Sequence, residues 1–134
     1  MLTPLLDAGP KLAISLKMLL AQDNHVNQIV ARAMLSTLGC MVTGVNDGEE
    51  VLALTREHDF DVILMDSHMP NLDGYGATAA FREREKAAGT GARRQVIIAQ
   101  TANPLSGDRE NCLAAGMDDY IPKPITADVL ASVL

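Results

Sequence analysis

The sequence predicts an α/β fold in which a parallel sheet is covered by helices. The strongest observation is an unbroken apolar run, Val62–Met65, which is bounded by turn-forming residues and leads into Asp66. Such a run is typical of a strand that is buried on both faces, as strands of parallel sheets are. The second observation is the alternation of short apolar runs with helical stretches along the chain. A repeated βα pattern implies parallel strands joined by right-handed crossovers.

Each predicted strand is a short apolar run followed by polar or turn-forming residues. In chain order the five strands are Leu16–Ala21, Met41–Val45, Val62–Met65, Gln95–Gln100 and Asp119–Ile121. Residues 1–15 contain Pro4, Gly9 and Pro10 and show no clean period. We therefore expect a linker from an upstream region over residues 1–15 and one domain over residues 16–134.

Helices are predicted between the strands. The first follows a cap at Asn24 and ends at Gly39. Spacings of three and four predict an apolar stripe along it, made of Val26, Ile29, Val30, Ala33, Met34 and Leu38. The other helices are predicted over about 48–58, 74–88 and 108–115, and from about residue 126 onwards.

Composition and charge exclude several classes of function. A formal net charge of −6 argues against a nucleic-acid partner, because phosphate backbones are bound by clustered Lys and Arg. The apolar runs are too short and too interrupted to span a bilayer, so we expect no membrane contact by this domain. Cys40 and Cys112 each lie among apolar residues, which is typical of buried thiols in a reducing compartment. These features predict a cytoplasmic domain, whose parent protein could still be membrane-anchored.

The ends of four predicted strands carry residues that suit phosphoryl chemistry. They are Asp23, Asp66, Thr101 and Lys123. In an open parallel sheet the ligand site lies beyond the carboxyl ends of the strands. Two carboxylates there can hold a hard divalent cation, a hydroxyl can donate to a phosphoryl oxygen, and an ammonium can neutralise developing charge.

In this order and at these spacings, the residues resemble the response-regulator receiver domain of two-component signalling. The resemblance covers roughly residues 16–130 and is carried by Asp23-Asn24, Met65-Asp66, Met69-Pro70, Asp73-Gly74, Thr101-Ala102-Asn103, Gly116-Met117-Asp118-Asp119-Tyr120 and Lys123-Pro124. The chain is most similar to receivers attached to hybrid sensor histidine kinases, in which the Asp-Asn pair is followed by Val26-Asn27-Gln28.

The resemblance implies a flavodoxin-like (βα)5 three-layer sandwich with a five-stranded parallel sheet in the order 2-1-3-4-5. It implies that Asp66 accepts a phosphoryl group from the phosphohistidine of a histidine kinase or a histidine phosphotransfer domain, in the same polypeptide or in another. The cofactor implied is Mg²⁺ (or Mn²⁺), held by Asp23, Asp66 and the backbone carbonyl of His68. Lys123 would pair with a phosphoryl oxygen.

The resemblance also implies a switch and a control of phosphoryl lifetime. Thr101 would donate a hydrogen bond to the phosphoryl group, and Tyr120 would rotate inward into the vacated space. The side chains of His68 and Asn103 would flank the attacking water and thereby set how long the modification lasts.

Two positions depart from the receiver pattern. Gln22 stands where receivers usually carry an outer acid that reaches the cation through water, so we expect a weak outer-shell contribution and Mg²⁺ binding weakened about tenfold. Gln100 replaces an apolar residue that usually precedes the Thr. If its amide points into the core, it needs hydrogen-bond partners.

Two other classes of function remain open at this point. An aspartyl-phosphate phosphatase of the haloacid-dehalogenase type needs a second Asp two positions after the first, where this chain has His68. A pseudo-receiver would keep the fold as an interaction module without phosphorylation. Gln22 is its main support, and the intact Asp23, Asp66, Thr101 and Lys123 argue against it.

Overall fold

Five parallel strands form one sheet. The computed structural model describes residues 16–88, 94–101 and 109–122. The strands are β1 (Lys17–Ala21), β2 (Met41–Val45), β3 (Val62–Asp66), β4 (Val96–Thr101) and β5 (Asp119–Pro122), and they lie in the order β2-β1-β3-β4-β5. Every pairing between them is parallel. The predicted parallel sheet and its 2-1-3-4-5 order are confirmed.

Helices lie on both faces of the sheet. Within the described residues they are α1 (His25–Thr37), α2 (Gly48–Leu54), α3 (Gly74–Ala88) and α4 (Arg109–Ala115). The predicted linker over residues 1–15 and the predicted helix from about residue 126 lie outside the described residues.

Side chains that alternate along each strand fill two separate cores. Leu64 of β3 shares one core with Leu35 of α1. Its neighbour Ile63 shares the other core with Val51 of α2 and Phe81 of α3. All five residues of β3 are buried. The three-layer sandwich is therefore confirmed, with β3 as its central and most enclosed strand.

Helix α1 does not turn its predicted apolar stripe toward the sheet. Val26, Ile29 and Val30 are 67%, 55% and 47% exposed, so the prediction is wrong for the first half of the helix. The buried positions of α1 are instead Gln28, Ala31 and Leu35. An apolar surface consequently faces solvent at the beginning of α1.

A polar side chain decides which side of α1 faces the sheet. Gln28 donates from Nε2 to the carbonyl oxygens of Gln22 and Val45, both at 3.0 Å, at the carboxyl ends of β1 and β2. Buried carbonyl oxygens need such donors. Gly44 makes room for the amide, because a Cβ there would lie 2.8 Å from Oε1 of Gln28. Hydrogen bonding, which hydropathy does not register, thus orients the helix.

Helix α2 ends at Leu54, earlier than the predicted end near residue 58. Arg84 of α3 donates to the carbonyl oxygen of Leu52 at 2.9 Å and to Oγ1 of Thr55 at 2.6 Å. Thr55 Oγ1 in turn donates to the carbonyl oxygen of Val51 at 2.7 Å. The carbonyl oxygen of Leu52 is thus satisfied by a side chain, whereas those of Val51, Ala53 and Leu54 accept from backbone N–H groups of residues 55–58 in the turn that follows the helix.

A network around Arg82 of α3 lies at the amino edge of the sheet, where the strands begin. Its guanidinium donates to the carbonyl oxygens of Gly116 and Gln95 at 2.9 and 2.8 Å. It also contacts Asp118 Oδ2 at 2.9 Å and Glu85 Oε1 at 2.8 Å. The Arg82 side chain is only 11% exposed. This network joins α3 to the beginnings of β4 and β5.

Candidate functional site

The carboxyl edge of the sheet, where the strands end, brings together three of the predicted site residues. Asp66 is the last residue of β3, Thr101 is the last residue of β4, and Asp23 lies just after β1. Asp66 and Thr101 are buried, with 2% and 0% of their surface exposed, whereas Asp23 is exposed. The edge therefore places a buried carboxylate close to one that solvent reaches.

The loop after β3 holds the Asp66 carboxylate in place. The backbone N–H of His68 donates to Asp66 Oδ1 at 3.1 Å. Ser67 donates from its backbone N and its Oγ to the carbonyl oxygen of Gln100, at 3.2 and 3.3 Å. Gly74 lies so close that a Cβ there would collide with the carbonyl oxygen of Asp66. The first turn of α3 thus packs directly against the residue that carries the candidate nucleophile.

A second loop supports the first through Asp47. Asp47 caps α2 by accepting from the backbone N of Glu50 at 2.9 Å, and its other oxygen accepts from Asn71 Nδ2 at 2.7 Å. The Asn71 hydrogen bond, followed by the Glu50 one, lowers the pKa of Asp47. Asn71 has a φ of 65°. The backbone N of Gly48 donates to the carbonyl oxygen of Leu72 at 2.9 Å, which adds a second hydrogen bond between the two loops. Sequence reasoning missed this support, although Asp followed three residues later by Glu is an N-terminal helix signal.

Gln22 and Gln100, the two residues that depart from the receiver pattern, contact each other. Gln22 and Gln100 are 1% and 0% exposed, and Gln22 Nε2 donates to Gln100 Oε1 at 3.3 Å. Gln22 Oε1 accepts from the backbone N of Asn24 at 3.4 Å. Within the described ranges, Gln100 Nε2 has no hydrogen-bond partner. The predicted outer-shell contribution of Gln22 stays a prediction, and its side chain points into the interior.

The remaining predicted residues are only partly described. His68 has an exposed side chain, and its ring packs edge-on against Tyr75 with 5.8 Å between centroids. Tyr120 of β5 is half-buried beside the core that α2 and α3 share. Lys123 and Asn103 lie outside the described residues, so their roles stay predictions.

The donor set at the carboxyl edge suits a hard divalent cation. Asp23 and Asp66 offer carboxylate oxygens, and the predicted third ligand is the backbone carbonyl of His68. Across the part of the chain that the structure describes, no three His, Cys, Asp or Glu side chains gather as a metal site. Mg²⁺ commonly takes one or two carboxylates and keeps several waters, so this small set fits it.

Comparison with known families identifies this arrangement. The response regulator receiver domain family matches residues 18–134. The chain belongs to this family. The resemblance that the strand-end residues carry is thereby confirmed, and the protein is a receiver domain of two-component signalling.

Similar proteins place such receiver domains in sensor kinases. The virulence sensor protein BvgS of Bordetella pertussis is 39% identical over 117 residues, which is 87% of this chain and 10% of BvgS. The chain thus spans a tenth of the length of that relative. The receiver domain of the sensor histidine kinase PA1611 of Pseudomonas aeruginosa, with a magnesium ion coordinated in its active site cleft, is 46% identical. Its TM-score is 0.79, over 90% of this chain and 94% of that one.

A more distant structure shows a receiver domain with a partner. It is the co-crystal structure of the Saccharomyces cerevisiae histidine phosphotransfer protein Ypd1 and the receiver domain of its response regulator Ssk1, at 27% identity. The TM-score is 0.80, with 94% of this chain and 88% of that chain covered. These matches give no support to the pseudo-receiver alternative. Among the described helices of this receiver domain, none is both long and apolar enough to cross a membrane.

Proposed function

We propose that this receiver domain accepts a phosphoryl group on Asp66 from the phosphohistidine of a histidine kinase or a histidine phosphotransfer protein. One observation carries the proposal. Asp66 ends the fully buried central strand, with Asp23 and Thr101 at the ends of the strands on either side. A nucleophile held on a rigid element between a carboxylate and a hydroxyl has the positioning that phosphoryl transfer requires.

The chain's own groups account for the covalent step. A carboxylate oxygen of Asp66 attacks phosphorus, the bond from phosphorus to the donor's histidine nitrogen breaks, and that nitrogen takes a proton. The backbone N–H of His68 fixes Oδ1 of Asp66 and so orients the carboxylate. Lys123 is proposed to neutralise charge on the phosphoryl oxygens.

The cation in this proposal is Mg²⁺ (or Mn²⁺). Asp23, Asp66 and the backbone carbonyl of His68 would hold it, with waters completing the coordination. When bound, the ion would stabilise the charge that gathers on the transferring group. The donor set of two carboxylates and a carbonyl supports this choice.

The response is proposed to begin at Thr101 and Tyr120. Thr101 is fully buried at the end of β4, the strand next to β3, and Tyr120 lies on β5 and is half-buried. A hydrogen bond from Thr101 to the phosphoryl group would bias the position of Tyr120. His68 and Asn103 are proposed to set the lifetime of the modification.

The exposed apolar surface of α1 is proposed to contact the donor. Val26, Ile29 and Val30 lie in the first turns of α1, directly after Asp23. Exposed apolar patches next to a reactive group mark interaction sites more often than isolated apolar residues do. The phosphohistidine must approach Asp66 from this same edge of the sheet.

Labelling with a small phosphodonor tests the proposed acceptor. Acetyl phosphate and Mg²⁺ should add one phosphoryl group to the wild-type chain, detected by intact-mass spectrometry, and none to Asp66→Asn. Asp73→Asn is the matched control, because Asp73 caps α3 by accepting from the backbone N of Gly76 at 2.8 Å. Asparagine keeps such a cap. Labelling that persists in Asp66→Asn would refute the assignment.

A further inference from the structure

Gln22, Asp66 and Gln100 form one row across the carboxyl edge. Asp66 pairs in register with Gln100. Ala21 pairs with Met65, so Gln22, the next residue, lies beside Asp66 on its other side. Side chains alternate along a strand, and the residues two positions earlier, Leu20, Leu64 and Ile98, all belong to the core beneath α1. The three side chains of the row therefore start from the same face of the sheet.

The hydrogen bond between the two glutamines crosses this row above Asp66. Neighbouring strands lie about 4.8 Å apart, so β1 and β4, which flank β3, are separated by about 10 Å. Gln22 Nε2 and Gln100 Oε1 nevertheless approach to 3.3 Å. Both side chains must extend toward each other over the strand between them. Neither reaches solvent, since their exposed fractions are 1% and 0%.

In this arrangement Gln22 has a single atom that could serve the cation, and that atom is buried and already accepts one hydrogen bond. Only the Oε1 of a glutamine side chain can bind a cation or accept from a water bound to it. In the structure this oxygen accepts from the backbone N of Asn24 at 3.4 Å. The adjacent Asp23 is exposed, so the two neighbouring residues point into different surroundings.

The Gln100 side chain can hydrogen-bond to a glutamate at position 22 as well as to the glutamine that is there. Its Oε1 accepts from Gln22, while its Nε2 is buried without a partner in the described ranges. Half a turn about the last side-chain bond exchanges these two atoms. After that rotation, Nε2 would donate to a carboxylate at position 22 and would thereby gain the partner that it lacks.

We propose that Gln22 and Gln100 act as one positioning unit, which directs the side chain at position 22 across Asp66 and away from the cation. The inference rests on the proposed cation site at Asp23 and Asp66. Its consequence is that an acid restored at position 22 reaches the cation only when position 100 is also made apolar. The two departures from the receiver pattern are then a single coupled change.

Mg²⁺ titration of four proteins tests the coupling. They are the wild type, Gln22→Glu, Gln100→Leu and the double variant, each followed by a thermal melt at every Mg²⁺ concentration. We expect each single variant to bind within about twofold of the wild type, and the double variant to bind about tenfold more tightly. Equal tightening in Gln22→Glu and in the double variant would overturn the proposal.

A second cycle without metal tests the hydrogen bond itself. Gln22→Leu and Gln100→Leu should each lower the melting temperature by about 4 °C, because each leaves the remaining buried amide without its hydrogen-bond partner. The double variant removes both amides, so its loss should be smaller than the sum of the single losses. Additive losses would show that the two side chains do not interact.

Together the two cycles separate the inference from the proposed function. If the melts without metal show non-additive losses, and none of the four titrated proteins responds to Mg²⁺, the cation site is refuted and the hydrogen bond between Gln22 and Gln100 is supported. If the proteins respond to Mg²⁺ but the losses of melting temperature without metal are additive, the hydrogen bond between Gln22 and Gln100 is refuted and the cation site is supported.

Discussion

The two edges of the sheet differ in how their charged side chains are partnered. At the amino edge, the nearly buried guanidinium of Arg82 donates to two carbonyl oxygens and two carboxylates. At the carboxyl edge, the Asp23 carboxylate is exposed and, in the described ranges, the buried Nε2 of Gln100 has no partner. Buried polar groups are normally satisfied. The amino edge thus joins α3 to β4 and β5, whereas the carboxyl edge carries the residues of the proposed phosphoryl site.

The largest expected effect comes from removing the centre of the amino-edge network. Arg82→Ala should lower the free energy of unfolding by about 3 kcal/mol, because Asp118, Glu85 and two carbonyl oxygens each lose one donor in a mostly buried setting. Asp118 keeps its hydrogen bonds from Arg94 and from the backbone N of Ile97. Urea unfolding measures the loss. Arg94→Ala is the control, since the Arg94 side chain is 62% exposed in its own ion pair with Asp118. We expect that control to cost less than about 1 kcal/mol.

Asp66 of the folded Arg82→Ala protein should still be labelled by acetyl phosphate. Equal stability losses in the Arg82 and Arg94 variants would contradict the role of the amino edge as a structural clamp. Abolished labelling in a protein that remains folded would contradict the separation of the two edges.

The next effect concerns the backbone beneath the candidate nucleophile. A Cβ on Gly74 would meet the carbonyl oxygen of Asp66, so Gly74→Ala should cost about 2 kcal/mol and displace the carboxylate. We expect labelling by acetyl phosphate to fall with it. Gly76→Ala in the same helix is the matched control, because the close contact of the added Cβ is with the flexible end of the Leu72 side chain, and Asp73 Oδ1 lies at an ordinary 3.4 Å. If both variants were labelled like the wild type, close packing at Gly74 would have no part in positioning Asp66.

A smaller, pH-dependent effect is expected where the two loops meet at Asp47. Its pKa is lowered below the ordinary value of 3.8 by the hydrogen bonds from Asn71 and Glu50. This contribution to stability is therefore complete above pH 3.8 and is lost as the pH falls through the lower pKa of the folded state. Asp47→Asn keeps the cap but loses an acceptor for Asn71, at a cost of about 1 kcal/mol near neutral pH.

Urea unfolding of the wild type and Asp47→Asn between pH 7 and pH 3 measures this contribution. The difference in stability between the two proteins should be constant in the upper part of that range and should shrink below pH 4. A difference that stays constant down to pH 3 would show that the Asp47 carboxylate is not the group responsible.

The smallest effect on folding, with a selective effect on function, is expected at the exposed surface of α1. Ile29→Asp should leave the free energy of unfolding unchanged and slow transfer from a phosphohistidine donor protein about tenfold, which corresponds to about 1.4 kcal/mol. Labelling by acetyl phosphate should be unaffected, because that donor needs no protein surface. Met41→Asp is the control, since Met41 is 64% exposed at the beginning of β2. Equal slowing in both variants would place the donor elsewhere.

Much of the fold could be predicted because its signals are local. The apolar run before Asp66 and the turn after it define β3, and Gly74–Ala88 has the predicted bounds of α3. The orientation of α1 could not be predicted, because Gln28 is buried to satisfy carbonyl oxygens of two strands that lie apart in the sequence. Hydropathy favoured Val26 and Ile29 for that face, and the requirement for donors prevailed.

The candidate site likewise has features that the sequence predicts and features that it does not. Asp23, Asp66 and Thr101 could be predicted to lie near one another, because the carboxyl ends of parallel strands meet at one edge. The contact between Gln22 and Gln100 joins residues 78 positions apart, and nothing local signals it. The charge at position 22 therefore does not show where the Gln22 amide points, because its surroundings in the fold determine that direction.

The enclosure of β3 has a consequence for local opening of the protein. Hydrogen bonds to β1 and β4 flank this strand, and all five of its side chains are buried. Its amide hydrogens should exchange with solvent deuterium only when the whole domain unfolds, whereas exposed ends of helices open far more often. Asp66 therefore ends a strand whose amide hydrogens we expect to exchange slowly. Strain introduced at its carboxylate is therefore expected to be relieved outside β3, in the loop that follows it.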